Sequence, residues 1–288
     1  MPYIVKSVTH AARGLRLPSH MGITSEGRVF VSEFGGGCIH EVTSLRGDQV
    51  SGKSLVLDSL VNPSGIHPLS DGTLIVADSG RGEIKEISLS RSSAAASVTT
   101  IASQHSNPYG VFEHQKELYT TFSNNRMAGI SRIVKGRSFD KADIFVSNFP
   151  VVVQSEPYPH LAGCGGSWGG SGGGSGIFFS HYALGAIFDV TKGGTYEDFR
   201  EQRFAWALTG PLGIIFDPID GDLYVVEKGS GVIKRIEKQG GYSRFATPLI
   251  AGFQEPSCIR FLPDGSAAYV CDRAWGTVFR LELQHISA

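Results

Sequence analysis

The 288-residue chain has no apolar run approaching the roughly 18 residues that a membrane-spanning helix needs, and residues 1–16 lack the apolar centre of a secretory signal. A cytoplasmic protein with no membrane partner is expected. There is no basic tract either. Lys and Arg total 26 against 27 Asp and Glu, a formal net charge of -1, which removes the electrostatic basis for holding nucleic acid. No Gly-x-Ser-x-Gly elbow, phosphate-cradling P-loop or Cys/His zinc spacing occurs, so nucleophilic acyl transfer and nucleotide-driven chemistry lack a motif. Helical periodicity is missing throughout. Cysteine is scarce, at four. Cys258 and Cys271 stand symmetrically about Asp264-Gly265 and should face each other across one hairpin, as free thiols in a cytosolic chain rather than as a disulfide. Cys38 and Cys164 have no neighbours at metal-ligand spacing.

What is abundant is glycine, 37 residues of it, punctuating short apolar strands. The phrase Asn62-Pro63-Ser64-Gly65-Ile66, continued through Asp71-Gly72 and Leu74-Ile75-Val76-Ala77-Asp78-Ser79-Gly80 to Ile84, spells turn, strand, hairpin, strand, turn, strand. It recurs. Pro18 to Glu33 and Pro63 to Asp78 are each 15 residues apart, Pro211 to Glu227 and Pro256 to Asp272 each 16, and Pro108 to Phe122 is 14 with an aromatic in the acid's place. A distorted copy runs from Pro159 to His181. The prolines at 18, 63 and 108 lie 45 residues apart, as do those at 211 and 256.

A period near 45 with several strands per unit indicates an all-β, six-bladed β-propeller of four-stranded antiparallel blades, forming one domain over residues 1–288. Fourth strands are expected at Lys53–Leu57, Ser97–Ala102, Ala142–Val146, Arg203–Ala207 and Tyr242–Pro248. The last blade lacks one. Tyr3 to Val8 is the donor that closes the ring and hides the edge. Pro150 to His160 is a longer, apolar crossing, open to being a lid, a pocket wall or a packed-down loop. Residues 169–176, glycine and serine alone, read as a linker, engineered or natural.

In a propeller the proline turns and the turns after the closing acids share one end, where a ligand site is expected. Glu33, Asp78, Glu227 and Asp272 recur with the repeat, so their expected work is to accept hydrogen bonds from the turn that follows, with Glu33 and Glu227 long enough to reach the channel. The departures from the repeat point to chemistry. His181 replaces an acid, and His20 stands where three blades have glycine; with Tyr109 and His160 they form the candidate catalytic set. Phe122, Tyr158, Ser64, Ser257, Phe34, Tyr182, Trp275, Glu33 and Glu227 are the candidate substrate-binding residues. An aromatic, imidazole-rich mouth suits an apolar organic molecule with a few polar handles.

Pro63-Ser64-Gly65-Ile66, Asp71-Gly72 and Val76-Ala77-Asp78-Ser79-Gly80 resemble the NHL-type repeat. The whole chain is similar to the six-bladed propellers that include SMP-30/gluconolactonase and strictosidine-synthase-like proteins. In the metal-dependent lactonases of that group the resemblance implies calcium or a similar ion held by a first-blade glutamate, an asparagine and an aspartate. Here Leu17-Pro18-Ser19-His20 and Gly210-Pro211-Leu212-Gly213 depart from that pattern. The expectation is therefore an enzyme with no metal or other cofactor, performing cyclisation, condensation or cycloaddition of an apolar small molecule, a use of the scaffold that resembles fungal natural-product cyclases. The alternatives are a lactonase or lyase whose divalent cation, Ca or Mg, is bound by relocated ligands such as Glu33, His181 and Glu227, and a non-catalytic binding scaffold.

Overall fold

The computed structural model describes residues 3–42, 54–89, 95–124, 126–151, 166–167, 176–237 and 245–286. Six antiparallel sheets are arranged as blades of a propeller. Each begins with an inner strand: Pro18–Ile23, Pro63–Pro68, Val111–His114, Gly166–Ser167, Pro211–Phe216 and Pro256–Phe261. Each of these touches the next, and the last touches the first, which closes the ring about an axis. The outer strands are Ser54–Leu57, Ala95–Ser103, Ile144–Phe149, Arg203–Ala205 and Ala246–Ala251, each within a few residues of its expected place. Tyr3–Ala12 supplies the outer strand of the sixth blade by pairing antiparallel with Thr277–His285, as the edge argument requires.

The hairpins form for local reasons. At Asp71-Gly72 the carboxylate accepts from Thr73 N–H at 2.9 Å while Gly72 takes φ +84°, and Asp264-Gly265 repeats this with Ser266 N–H at 3.0 Å and φ +69°. The apolar cores lie between blades. Phe30, Ile39 and Val56 of blade one interlock with Ile66, Leu74, Val76 and Ile87 of blade two, and comparable clusters fill the other gaps. Cys258 and Cys271 are paired in register, both buried and unbridged, and desolvation raises both thiol pKa values.

Two features lie beyond the repeat. Arg137–Ser138 adds a parallel pairing to the outer strand of blade two, and Gly194–Thr195 does the same for blade three. Blades two and three thus have five strands, their exposed edges covered by a connection from the following blade. The second feature is a break in register after the entering proline. Pro18 lies opposite Glu33, Pro63 opposite Asp78, Pro211 opposite Glu227 and Pro256 opposite Asp272, and in all four strands the register then shifts. Such a bulge kinks the strand and re-aims the side chains within it. In blade one those are Ser19 and His20.

Of the Pro150–His160 crossing, only Pro150 and Val151 are described; Tyr158, His160 and the run 169–175 lie outside the described residues. Among the described residues no helix is long and apolar enough to cross a membrane.

Candidate functional site

The two sets of turns do meet at one end. Phe34 N–H bonds Leu17 O at 3.1 Å, Gly80 N–H bonds Val61 O at 2.8 Å, Lys228 N–H bonds Gly210 O at 3.0 Å and Arg273 N–H bonds Glu255 O at 3.0 Å, each tying a turn after the second strand to the segment entering the same blade.

The recurrent acids complete that tie, accepting from the segment that enters the blade as well as from the turn that follows. Asp78 accepts from Val61 N–H at 2.8 Å and from the Arg81 side chain at 2.8 Å. Glu227 accepts from Thr209 N–H at 3.1 Å, Ser230 Oγ at 2.6 Å and Lys234 Nζ at 2.8 Å. Asp272 takes Gln254 N–H at 2.7 Å and Trp275 N–H at 3.1 Å. The backbone donors come mainly from the incoming segment, because each acid faces the proline across the hairpin. Glu227 is thereby fully buried and committed to its own blade.

His181 does the same work with an imidazole. Its Nε2 lies 2.8 Å from Pro150 O, Nδ1 accepts from Leu184 N–H at 3.2 Å, and the ring stacks against Phe149 between blades three and four. Both nitrogens are in use, so the departure from the repeat at 181 is a substitution within the tie. Phe122, in the acid's place in blade three, packs on Phe139 and against Gly129. Ser64 donates to Tyr109 O at 2.8 Å and Ser257 to Ser19 O at 2.8 Å, while Ser32 and Ser180 reach Ser64 O and Leu212 O. These hydroxyls, on the first or second strand of a blade, join one blade to the next. Tyr182 lies over Gly210, and Trp275 is half-exposed with its edge on Phe279.

His20 is different. The blade-one bulge turns it inward, where it is 2% exposed, with its backbone N–H held by Ser32 Oγ at 3.0 Å. Ser19 Oγ lies 3.1 Å from His20 Nδ1 and 3.2 Å from the Tyr109 hydroxyl, which crosses from blade three; the two rings meet edge-on at 4.9 Å. Burial pushes the His20 pKa down to about 3, and the positive charges of Arg260 and Arg273 add to the effect, so the ring is neutral at physiological pH.

Arg273 stands on the turn that follows the closing acid Asp272 of blade six. It is 5% exposed, its guanidinium sits over the Phe34 ring at 5.5 Å, and its buried Nε has no hydrogen-bond partner. Among the described residues it has no carboxylate in ion-pair reach, and a buried cation in that state is costly. Lower on the axis is a cavity of about 200 Å³ between Gly22, His67, Pro68, Phe216, Arg260 and Phe261. Burial and Arg260 push the His67 pKa down to about 4. A larger concavity, about 530 Å³, lies off the axis on the flank of blade four among Arg200, Gln202, Arg203 and Trp206. It is open and lined by charged surface side chains, so the axis is the better candidate.

Among the described residues, two groups of three side chains could share an ion: Glu33, Cys38 and His40, and Asp217, Asp220 and Asp222. Neither contains His181 or Glu227, so the relocated set Glu33, His181 and Glu227 does not assemble. Cys38 does have ligand-type neighbours, against the sequence expectation. Residues i and i+2 of a strand share a face, which puts Cys38 beside His40, and Glu33 is Cys38's partner across the hairpin. That register was the available signal.

The buried histidines set a pH dependence. Burial lowers the pKa of His20, His67, His105 and His181 below the free value of 6.5, to about 3, 4 and 4 for the first three. Between about pH 6.5 and 4 the unfolded chain binds protons that the folded one refuses, so stability falls as pH falls through that window. Urea midpoints should drop steadily from pH 6.5 to 4.5; a flat profile would contradict the burial of these rings.

No family model matches the chain, and no curated protein matches it in sequence. Solved structures share its fold. A catalytically inactive virginiamycin B lyase from Staphylococcus aureus, solved with quinupristin, is 16% identical with a TM-score of 0.59, covering 98% of this chain and 100% of that one. A PQQ-bound aldose sugar dehydrogenase from Streptomyces coelicolor is 13% identical, TM-score 0.68, covering 98% and 99%. A gluconolactonase from Xanthomonas campestris is 10% identical, TM-score 0.66, covering 99% and 95%.

Proposed function

We propose that the chain is an enzyme acting on an apolar organic molecule that carries a carbonyl or carboxylate, at the mouth formed by Ser19, His20, Tyr109, Phe34 and Arg273. The observation that carries this is Arg273, a buried guanidinium that makes no ion pair among the described residues, within electrostatic reach of a neutral histidine. Buried ionisable groups held in such a state concentrate at functional sites. An incoming oxygen would supply the missing partner. Where negative charge grows on that oxygen during reaction, a fixed guanidinium and neutral O–H and N–H donors stabilise it without reorganising. Phe34 supports the guanidinium and offers apolar surface. Catalysis of this kind needs orientation more than a nucleophile, and cyclisation, condensation or cycloaddition fits it. Enzymes of several chemistries on the same fold, a lyase, a dehydrogenase and a gluconolactonase, lend support to catalysis in general.

The test is a thermal-shift screen of aromatic and alicyclic carboxylates and ketones, each paired with its methyl ester or alcohol. Stabilisation by acids and ketones, weakened in the paired compounds, and turnover unchanged by EDTA are expected. Binding indifferent to the oxygen group would remove Arg273 from the site, and turnover lost in EDTA and restored by a divalent ion would overturn the metal-free assignment.

A further inference from the structure

The Glu33, Cys38 and His40 side chains are 3%, 8% and 8% exposed, on adjacent strands at the mouth end of blade one. His40 Nε2 lies 2.9 Å from Glu33 Oε2 and 3.3 Å from Cys38 Sγ, and Cys38 Sγ lies 3.6 Å from the same carboxylate oxygen. A tetrahedral zinc ion with bonds of about 2.3 Å to sulfur and about 2.0 Å to nitrogen and oxygen holds its ligand atoms roughly 3.3 to 3.6 Å apart. The triangle therefore needs an adjustment of only a few tenths of an ångström, between Nε2 and the oxygen. We propose that these three side chains form a binding site for a thiophilic divalent cation, zinc by the chemistry of its donors, with water as the fourth ligand.

The donors decide the metal class. One thiolate and one imidazole disfavour calcium and magnesium, which take oxygen ligands, and favour zinc and its neighbours. Binding converts the Cys38 thiol to thiolate, releasing a proton, and requires His40 to carry its ring proton on Nδ1 so that Nε2 offers a lone pair. The surroundings suit a built site. Arg16 Nε contacts the other carboxylate oxygen, Oε1, at 3.3 Å and its Nη2 reaches Gly36 O at 3.3 Å, holding the carboxylate from outside. The turn Phe34-Gly35-Gly36-Gly37 passes so close that a Cβ on Gly36 would stand 2.3 Å from Glu33 Oε1. Asp217, Asp220 and Asp222 form a contrasting group. They are taken up by Tyr3 at 2.8 Å, His285 at 2.7 Å and Arg235 at 3.6 Å, and offer only oxygen.

The site is separate from the mouth donors and is tested without turnover. Metal-stripped full-length protein is titrated with Co²⁺, then Zn²⁺. One equivalent of Co²⁺ should produce the near-ultraviolet thiolate-to-cobalt charge-transfer band and the strong visible bands of a four-coordinate ion, both erased by Zn²⁺. Cys38→Ser should abolish the charge-transfer band, and His40→Gln and Glu33→Gln should each weaken Co²⁺ binding at least about tenfold. Cys164→Ser and Cys258→Ser should leave the band intact. Circular dichroism and the urea midpoint identify any variant that fails to fold, and the remaining ligand variants then decide. Absence of a stoichiometric charge-transfer band, its survival in Cys38→Ser, or its loss in a control variant with Cys38 intact would overturn the site and leave a hydrogen-bonded Glu–His pair beside an ordinary thiol.

Discussion

Arg273→Met is expected to make the protein more stable and to abolish its binding of carboxylate and carbonyl compounds. The two effects have one origin. In the free protein the guanidinium is buried, stacked on Phe34 and in no ion pair among the described residues, so it contributes desolvation cost with little return. Methionine keeps much of the volume over Phe34 and removes the charge. Replacing buried ionic groups by apolar ones is neutral to stabilising by about 1–4 kcal/mol, and the lost cation–π contact takes back roughly 0.5–1 kcal/mol of that. A net gain of about 1–2 kcal/mol should raise Tm by several degrees, at about 2–4 °C per kcal/mol for a chain of this size. With ligand present the sign reverses. Loss of a desolvated charge–oxygen contact costs about 2–5 kcal/mol, a drop in affinity of roughly 30-fold or more. A variant less stable than the parent with unchanged binding would show that Arg273 is a packing residue.

Gly65→Ala should be among the most damaging single-methyl changes. Gly65 lies on the inner strand of blade two, where its N–H reaches Tyr109 O of blade three at 2.6 Å. A Cβ there would stand 2.4 Å from that same oxygen, 2.6 Å from Val111 N and 2.9 Å from Gly110 C. All three are backbone atoms, so no side chain can swing aside and the two blades must part. Overpacking of this sort costs about 1–3 kcal/mol or more, and the strained inter-blade hydrogen bond adds about 1 kcal/mol. The expected loss exceeds about 3 kcal/mol, a Tm drop near 10 °C by the same conversion. Gly72→Ala provides the comparison. Its Cβ would meet nothing within 4 Å, but its φ of +84° is unfavourable for alanine by about 1–2 kcal/mol. Equal losses at the two glycines would mean that backbone conformation, and not the closeness of the blades, sets the cost at 65.

The pairing of Asp78 with Pro63, the turn at Asp71-Gly72 and the facing of Cys258 and Cys271 were all readable because each is settled within one hairpin. His20 and His181 show where that legibility ends. Both break the repeat, and nothing in their flanking residues separates them. Only the structure shows that His181 closes a hydrogen-bonded tie inside a blade junction while the bulge after Pro18 turns His20 toward Tyr109, 89 residues away in sequence. Glu33 is long enough to reach the channel, as the sequence shows; it turns instead to Cys38 and His40, a choice made by strand register and by the glycines packed over it.

The amino-acid order alone determined the strands, the sixfold ring and the N-terminal strand that closes it, because hydrophobic alternation and turn chemistry act over a few residues and repeat. The tertiary structure alone decided which side chains converge and which charge is left without a partner. Those outcomes depend on contacts between blades and on exclusion of water, and neither leaves a periodic trace along the chain.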